Sequence, residues 1–273
     1  MMQANTLLAK STDTIVEGRE VTPISKSRRR RLRWFNAIAG LFHLLQGIAV
    51  LALTNDFTVG ITANFLSGPP GTAPDEITTL FDFRVGWGVA AFLLMSAAAH
   101  FILVSPFGFG WYVRQLEQKR NYARWVEYAF SSSLMVVLIA ILPGITDAAA
   151  LLALFGVNAS MIMFGWLMEK YESPGSPSWI SYWFGVIAGA VPWLAIGLYL
   201  WSPGSDAEPP AFVYGIFVSL FLFFNVFALN MFLQYRRTWR WRDYMFGEHV
   251  YIVLSLTAKS LLAWQVFSGT LVG

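Results

Sequence analysis

Seven long apolar stretches, separated by short polar segments, constrain the fold of this chain more than any other feature of its sequence. A hydrocarbon core about 30 Å thick requires about 20 apolar residues per helical crossing. The stretches lie at residues 34–53, 80–105, 122–142, 148–168, 180–201, 211–235 and 246–270. Inside a bilayer every backbone polar group must be paired within the protein, so runs of this length form helices. The sequence therefore predicts an all-α membrane protein, a bundle of seven transmembrane helices.

The composition excludes several other classes of protein. Only 13% of the residues are charged and 56% are hydrophobic, whereas a typical soluble domain has about 25% charged residues. A disordered or nucleic-acid-coating chain needs more charge and fewer aromatic residues, so we expect no nucleic-acid partner. Cysteine is absent, which excludes disulfides and thiolate sites. We find no Ser/His/Asp set, metal-ligand spacing or phosphate loop, and we predict neither enzymatic activity nor a metal site.

The basic residues are segregated among the connecting segments. Of 19 Lys and Arg residues, 17 lie in the N-terminal segment, in alternate connections or, for Arg124, at the edge of one of these connections, and two, Arg84 and Lys259, fall further inside predicted spans. Cytoplasmic loops retain Lys and Arg, so this pattern predicts a cytoplasmic N-terminus and an extracellular C-terminus. Residues 1–33, which end in KSRRRRLR, are predicted to form a basic cytoplasmic tail, and residues 34–273 the transmembrane domain.

The first outer loop, residues 54–79, is the longest connection. It opens with a β-compatible stretch from Phe57 to Ile61 and continues into the Gly/Pro-rich run SGPPGTAP. A short hairpin that caps the outer face and a disordered loop both fit this pattern. Asp82 and Arg84 follow near the outer end of the second predicted span, where we expect them to form a structural contact.

Lys259 and Glu127 are the charged residues placed deepest in the predicted spans. A charge near the bilayer centre costs at least about 2.5–3.5 kcal/mol, so such residues point to function. At about 1.5 Å rise per residue, Glu127 lies about 8 Å closer to the cytoplasm than Lys259. Side chains on a helix lean toward its N-terminus, which brings the Lys259 amine toward Glu127. Two alternatives remain: the pair only fixes helix packing, or Glu127 pairs with Arg124 three residues earlier.

Other polar residues collect at a similar depth. His43 lies in the first span and His100 in the second, with Ser96 one turn before His100. Ser255 lies one turn before Lys259. Each histidine could instead be a hydrogen-bonded packing residue, and serines in membrane helices commonly bond their own backbone.

The location of two further groups of residues, inside the bundle or at its surface, is less closely defined by the sequence. Glu248 lies on the Lys259 face of the last span, and we expect it at the membrane interface. Six aromatic residues of the fifth and sixth spans either line an apolar pocket or face lipid: Trp183, Trp193, Phe217, Phe221, Phe223 and Phe224.

A lysine in a dry apolar pocket can lose its proton and attack a carbonyl to form a Schiff base. The protonated product then needs a nearby carboxylate, because burial disfavours an isolated charge. Seven helices with a mid-membrane lysine in the last and a carboxylate in the third form the constellation of a retinal protein. A non-retinal transporter, with Lys259 and Glu127 as a substrate gate, is a further alternative.

The chain resembles the heliorhodopsin family over residues 34–270. The resemblance rests on the inverted orientation, on SLTAKS around Lys259, on WVEYAFSSS around Glu127, and on His43 and His100. Ordinary microbial rhodopsins have the opposite topology and commonly carry Asp four residues before the lysine, where this chain has Ser255.

The resemblance implies a chromophore and roles for particular residues. Lys259 would bind all-trans retinal as a Schiff base, with Glu127 as the single counter-ion and Ser255 hydrogen-bonded nearby. The resemblance also implies a polar cavity on the cytoplasmic side, formed with water by His43, His100 and Ser96.

The resemblance further implies a light sensor with a slow photocycle, and a short β-element in the first outer loop that contributes to a homodimer. The residues agree with weak or absent pumping, because we find no strong proton-relay candidate between Lys259 and the outer surface. The alternative is a light-gated proton conductor or weak ion transporter. The expected partners are the lipid bilayer and an unknown cytoplasmic signalling protein. Loops 106–124 and 236–242 would dock such a partner or simply contact anionic lipid.

Overall fold

The computed structural model describes residues 15–16, 19–72, 76–201 and 208–271. The predicted tail, 1–33, and the outer loops 54–79 and 202–210 therefore lie partly outside the described residues. The first described elements are two short antiparallel strands, β1 (Ile15–Val16) and β2 (Arg19–Glu20).

Seven of the helices in the described part of the chain are long and apolar enough to cross a membrane. A shorter amphipathic helix, α3, separates the second and third of them. The helices are α1 (Lys26–Leu53), α2 (Val85–Val104), α3 (Phe109–Glu117), α4 (Tyr122–Ile141), α5 (Ala148–Tyr171), α6 (Ile180–Leu200), α7 (Ala211–Tyr235) and α8 (Tyr244–Val266). The predicted seven-helix membrane bundle is confirmed.

Helix α1 begins at Lys26, so the basic run KSRRRRLR forms its first turns. The Ser25 hydroxyl caps this helix by accepting a hydrogen bond from the Arg28 backbone amide. Asn121 and Asp243 cap α4 and α8 in the same way, which satisfies backbone donors that have no partner inside a helix. We call the end of the bundle where α1, α4 and α8 begin the basic end.

A two-stranded antiparallel hairpin covers the opposite end of the bundle, which we call the hairpin end. Its strands are β3 (Thr58–Ala63) and β4 (Thr78–Arg84), with an irregularity in register between Ile61 and Thr62. The Thr62 backbone amide donates to the Thr146 carbonyl at 2.9 Å, which ties the hairpin to the start of α5. The hairpin interpretation of this long connection between the first two spans is therefore confirmed.

The hairpin also corrects the predicted start of the second span. Residues 80–84 belong to β4 rather than to a helix, because the alternating segment TTLFDFR pairs with β3. Asp82 and Arg84 therefore lie on a strand, and Arg84 pairs with Asp56 at 3.2 Å.

The apolar core fills the hairpin half of the bundle, where α2, α4 and α8 contribute residues such as Leu93, Leu138 and Leu262. On α5 and α6 large apolar side chains instead point outward, including Leu152 and Leu194, whose exposed fractions are 73% and 72%. Such a continuous apolar exterior suits a lipid environment. The chain is a multi-pass membrane protein.

Candidate functional site

Lys259 of α8 and Glu127 of α4 form an ion pair inside the bundle. Lys259 Nζ donates to Glu127 Oε1 at 2.7 Å, and the two side chains are 4% and 11% exposed. The contact expected from their depths is present. The alternative pairing of Glu127 with Arg124 is wrong, because the Arg124 guanidinium binds two other carboxylates.

Two serine hydroxyls also contact this pair. Ser96 Oγ donates to Glu127 Oε1 at 2.6 Å, and the carbonyl oxygen of Phe92 lies 3.0 Å from the same hydroxyl. On the other side, Lys259 Nζ donates to Ser255 Oγ at 3.1 Å, one turn earlier on α8. The amine also lies 5.2 Å from the ring centre of Tyr128. The sequence-predicted Ser96 and Ser255 are thus in direct contact with the ion pair.

The two histidines lie beside the ion pair. His43 of α1 stacks on His100 of α2 with ring centres 5.7 Å apart and planes 15° apart. His100 Nδ1 lies 2.9 Å from Asn36 Oδ1. His43 is fully buried, and among the described residues neither of its ring nitrogens has a hydrogen-bond partner. An unpaired buried polar group is costly, so His43 suits a site that admits water or a proton.

A small polar cavity of about 40 Å³ extends from Glu127 toward the basic end; of the two histidines expected to line it, His100 does and His43 is not among its described walls. Its walls include Ser96, His100, Glu127 and Ser255, together with Asn36, which the sequence analysis missed. This volume has room for ordered water, which needs about 10–15 Å³ and several polar partners. Asn36 precedes His43 by seven residues and so shares its helical face, a spacing that would have indicated it.

A larger apolar cavity of about 300 Å³ lies on the other side of Lys259, between α4, α5, α6 and α7. Lys259 and Ser255 form part of its wall, and the rest is mostly apolar and aromatic. Its aromatic side chains are Trp125, Tyr128, Tyr182, Trp193, Phe221, Phe224, Phe227 and Tyr251.

The cavity resolves the open question about the aromatic residues of α6 and α7. Trp193, Phe221 and Phe224 line it, and the Trp193 ring meets the other two edge-on at 5.4 Å. Phe217 and Phe223 pack against the apolar core, whereas Trp183 is 57% exposed and faces outward. An apolar pocket with one reactive amine in its wall, and a carboxylate beside that amine, fits a long apolar aldehyde such as retinal.

A second ionic group lies between the polar cavity and the basic end. The Arg124 guanidinium donates to Glu169 Oε1 at 2.8 Å and also binds Glu248 Oε1. Tyr244 donates its hydroxyl proton to Glu169 at 2.8 Å, and Asn121 Nδ2 donates to Glu248 at 2.8 Å. We call these five residues the arginine cluster.

The arginine cluster corrects one expectation and adds one residue. Glu248 was expected at the membrane interface, but it is 1% exposed and packs against Arg124 inside the bundle. Glu169 was not anticipated, because a carboxylate near the end of a span looks solvent-exposed in the sequence. Only the packing of α4, α5 and α8 brings the three charges together.

Comparisons with known protein families and solved structures agree with this geometry. A protein-family model described as Heliorhodopsin matches residues 32–271. Comparison with curated proteins finds no match.

Solved structures share the fold at low sequence identity. A light-driven proton pump, LR (Mac), from Leptosphaeria maculans is 15% identical with a TM-score of 0.61, over 90% of this chain and 97% of that one. The proton-pumping rhodopsin AR2 from the marine alga Acetabularia acetabulum is 15% identical with a TM-score of 0.60, over 90% and 95%. The transmembrane domain and linker of Salpingoeca rosetta rhodopsin phosphodiesterase is 12% identical with a TM-score of 0.62, over 89% and 80%.

Proposed function

The chain belongs to the heliorhodopsin family, and on this premise we propose that it is a light sensor that holds all-trans retinal on Lys259. The family and the rhodopsin fold make it a light-responsive retinal protein of the membrane. One observation carries the finer proposal: the Lys259 amine lies where the aromatic cavity meets the buried carboxylate of Glu127. When bound, retinal supplies light absorption and an isomerisation that changes its shape.

Glu127 is the counter-ion in this proposal. Its carboxylate balances a positive charge at Lys259 Nζ, which burial would otherwise disfavour. Ser96 orients Glu127 from one side and Ser255 contacts Nζ from the other. The aromatic walls exclude water, which strengthens the attraction between the two charges.

The distribution of polar groups supports sensing over pumping. From Glu127, a series of polar side chains continues toward the basic end through Ser96, His100 and Asn36. Toward the hairpin end the described neighbours are the buried hydroxyl of Ser131, one turn further along α4, and core residues such as Leu93 and Leu138, none of which carries a titratable group. A proton that leaves Lys259 Nζ can therefore move to Glu127 or the histidines and return, whereas net transport needs relay groups on both sides.

The alternative function is a light-gated proton conductor or weak ion transporter. The polar cavity favours it, because this cavity reaches from Glu127 to Arg124 and Glu248 near the basic end. Photocurrent under voltage clamp separates the two functions: a sensor gives none, and a conductor gives a current that follows the proton gradient.

We also propose that the N-terminus is cytoplasmic and that the protein acts in the cell membrane as a homodimer. The basic segment 1–33, which includes the first turns of α1, would lie in the cytoplasm, and residues 34–273 would form the retinal-binding domain. The segregated basic residues support the orientation, and protease access in sealed vesicles tests it. The exposed apolar side chains of Leu80 and Phe81 on β4 support the dimer, because such patches mark contact sites. A cytoplasmic signalling protein and the bilayer are the proposed partners.

The decisive experiment is to purify the protein, add all-trans retinal and record the spectrum. We expect a visible band in the wild type and in Lys170→Ala, which removes an exposed lysine, and no band in Lys259→Ala. Circular dichroism should show that all three are equally helical. A visible band that survives in Lys259→Ala would overturn the assignment. A light-driven pH change across cells, abolished by an uncoupler, would overturn the sensor proposal.

A further inference from the structure

A third cavity, of about 320 Å³, opens at the basic end of the bundle. Its walls come from the start of α1, the turn after α3, the turn after α5, and the connection between α7 and α8. The lining residues are Thr22, Pro23, Ile24, Arg28, Leu116, Lys119, Pro174, Gln234, Arg237, Trp241, Arg242, Asp243, Tyr244 and Met245. No role in light sensing accounts for it, because it is separate from the two cavities beside Lys259.

Cationic side chains outnumber carboxylates among the described residues that line this cavity. Arg28, Lys119, Arg237 and Arg242 line it, and among its described walls Asp243 is the one carboxylate. Asp243 is bound to Arg28 by an ion pair. The remaining cationic side chains come from two separate turns of the chain, so packing rather than a sequence run brings them to one concave surface.

The backbone at two of these cations is held in a conformation that normally requires glycine. Lys119 has φ 56° and follows α3, and Arg237 has φ 52° and follows α7. In each turn two amides cap the preceding helix. After α3, the Lys119 amide donates to the Leu116 carbonyl and the Arg120 amide donates to the Gln115 carbonyl. After α7, the Arg237 amide donates to the Gln234 carbonyl and the Thr238 amide donates to the Leu233 carbonyl.

This pattern is the Schellman cap, in which the left-handed position is usually glycine because a side chain is strained there. The chain instead carries a long cationic side chain at both positions, and both line the same cavity. Basic residues that only set the orientation of the helices in the membrane need neither a concave surface nor a strained left-handed backbone. Strain of this kind is found preferentially at ligand sites.

We propose that this cavity binds the phosphate group of an anionic ligand. Guanidinium and ammonium groups from several segments can surround phosphate oxygens, and arginine does so with paired hydrogen bonds. The volume is that of a small-molecule site. The phosphate belongs either to a lipid head group, as in basic pockets between membrane helices, or to a soluble molecule. The site is independent of retinal binding.

The test removes the two strained cations without harming the fold. In Lys119→Gly with Arg237→Gly, glycine relieves the left-handed strain at both positions, which favours the folded state. The matched control is Arg114→Gln with Arg236→Gln, which removes two exposed cations at the same end that do not line the cavity.

Two arms distinguish the source of the phosphate. In the first, pyrophosphate is titrated into each full-length protein in detergent and binding is measured by calorimetry. In the second, each protein is placed in nanodiscs of phosphatidylcholine and phosphatidylglycerol in equal parts, and retained phosphatidylglycerol is measured by native mass spectrometry.

We expect binding by the wild type and the control, and at least about tenfold weaker binding by the glycine variant. The arm that shows this difference identifies the soluble or the lipid ligand. Arg242→Gln, at an exposed residue, should also weaken binding. Equal binding by the glycine variant and the wild type, or no wild-type binding in either arm, would overturn the proposal.

Discussion

The two buried ionic groups of the bundle differ in how completely their charges are paired. In the arginine cluster, Arg124 binds two carboxylates, and Tyr244 and Asn121 supply further hydrogen bonds. In the Lys259–Glu127 pair, each charge has one opposite charge and one serine hydroxyl, from Ser96 or Ser255. Of these charged side chains, Lys259 alone lines the large aromatic cavity.

This difference separates a structural role from a chemical one. Charges that several partners hold from different helices lock those helices together, and changing one partner leaves the others buried without compensation. A charge with few partners beside a cavity is free to exchange a proton or form a bond. We therefore expect substitutions in the arginine cluster to change stability most, and substitutions at the pair to change the chemistry of bound retinal.

The largest effect is expected for Arg124→Gln. It leaves Glu169 and Glu248 buried without their shared cation, which should lower the free energy of unfolding by about 3–5 kcal/mol. Thermal and denaturant unfolding of the detergent-solubilised protein measure this loss. Arg114→Gln, on the exposed face of α3, is the control and should change stability little. If the two variants unfold alike, the cluster does not hold the helices together.

The next largest effect distinguishes the Lys259–Glu127 pair from the arginine cluster by the absorption spectrum. Glu127→Gln should shift the absorption of the retinal-loaded protein to the red, because the carboxylate stabilises the ground-state positive charge at Lys259. Glu248→Gln removes a carboxylate from the arginine cluster and should leave the band nearly unchanged. Spectra of both variants with retinal test this. An unshifted band in Glu127→Gln would remove Glu127 as counter-ion.

The smallest effect is expected for Ser96→Ala. The loss of its hydrogen bond to the charged Glu127 should lower the free energy of unfolding by about 1–3 kcal/mol and shift the band less than Glu127→Gln does. Ser160→Ala is the control, since Ser160 is exposed and its hydroxyl bonds only the Gly156 carbonyl of its own helix. Equal effects in the two variants would show that Ser96 contributes only a backbone contact.

Sequence reasoning succeeded where a signal is local. The seven spans follow from runs of apolar residues, and the residues around Lys259 from single charges within them. The hairpin is one of the two interpretations that the β-compatible stretch allows, the other being a disordered loop. It failed at residues 80–84, because an apolar alternating strand next to a span extends the apolar run. It also missed Asn36 and Glu169, whose significance depends on neighbours far away in the chain.

The sequence by itself determined that the chain crosses a membrane seven times and carries a lysine and a carboxylate at depth, because apolar length and charge are properties of single segments. Only the tertiary structure decided which carboxylate faces Lys259 and which pair with Arg124. It also decided which aromatic residues enclose a cavity. The physical reason is that these outcomes depend on how each helix is rotated against its neighbours, which is set by packing among all of them.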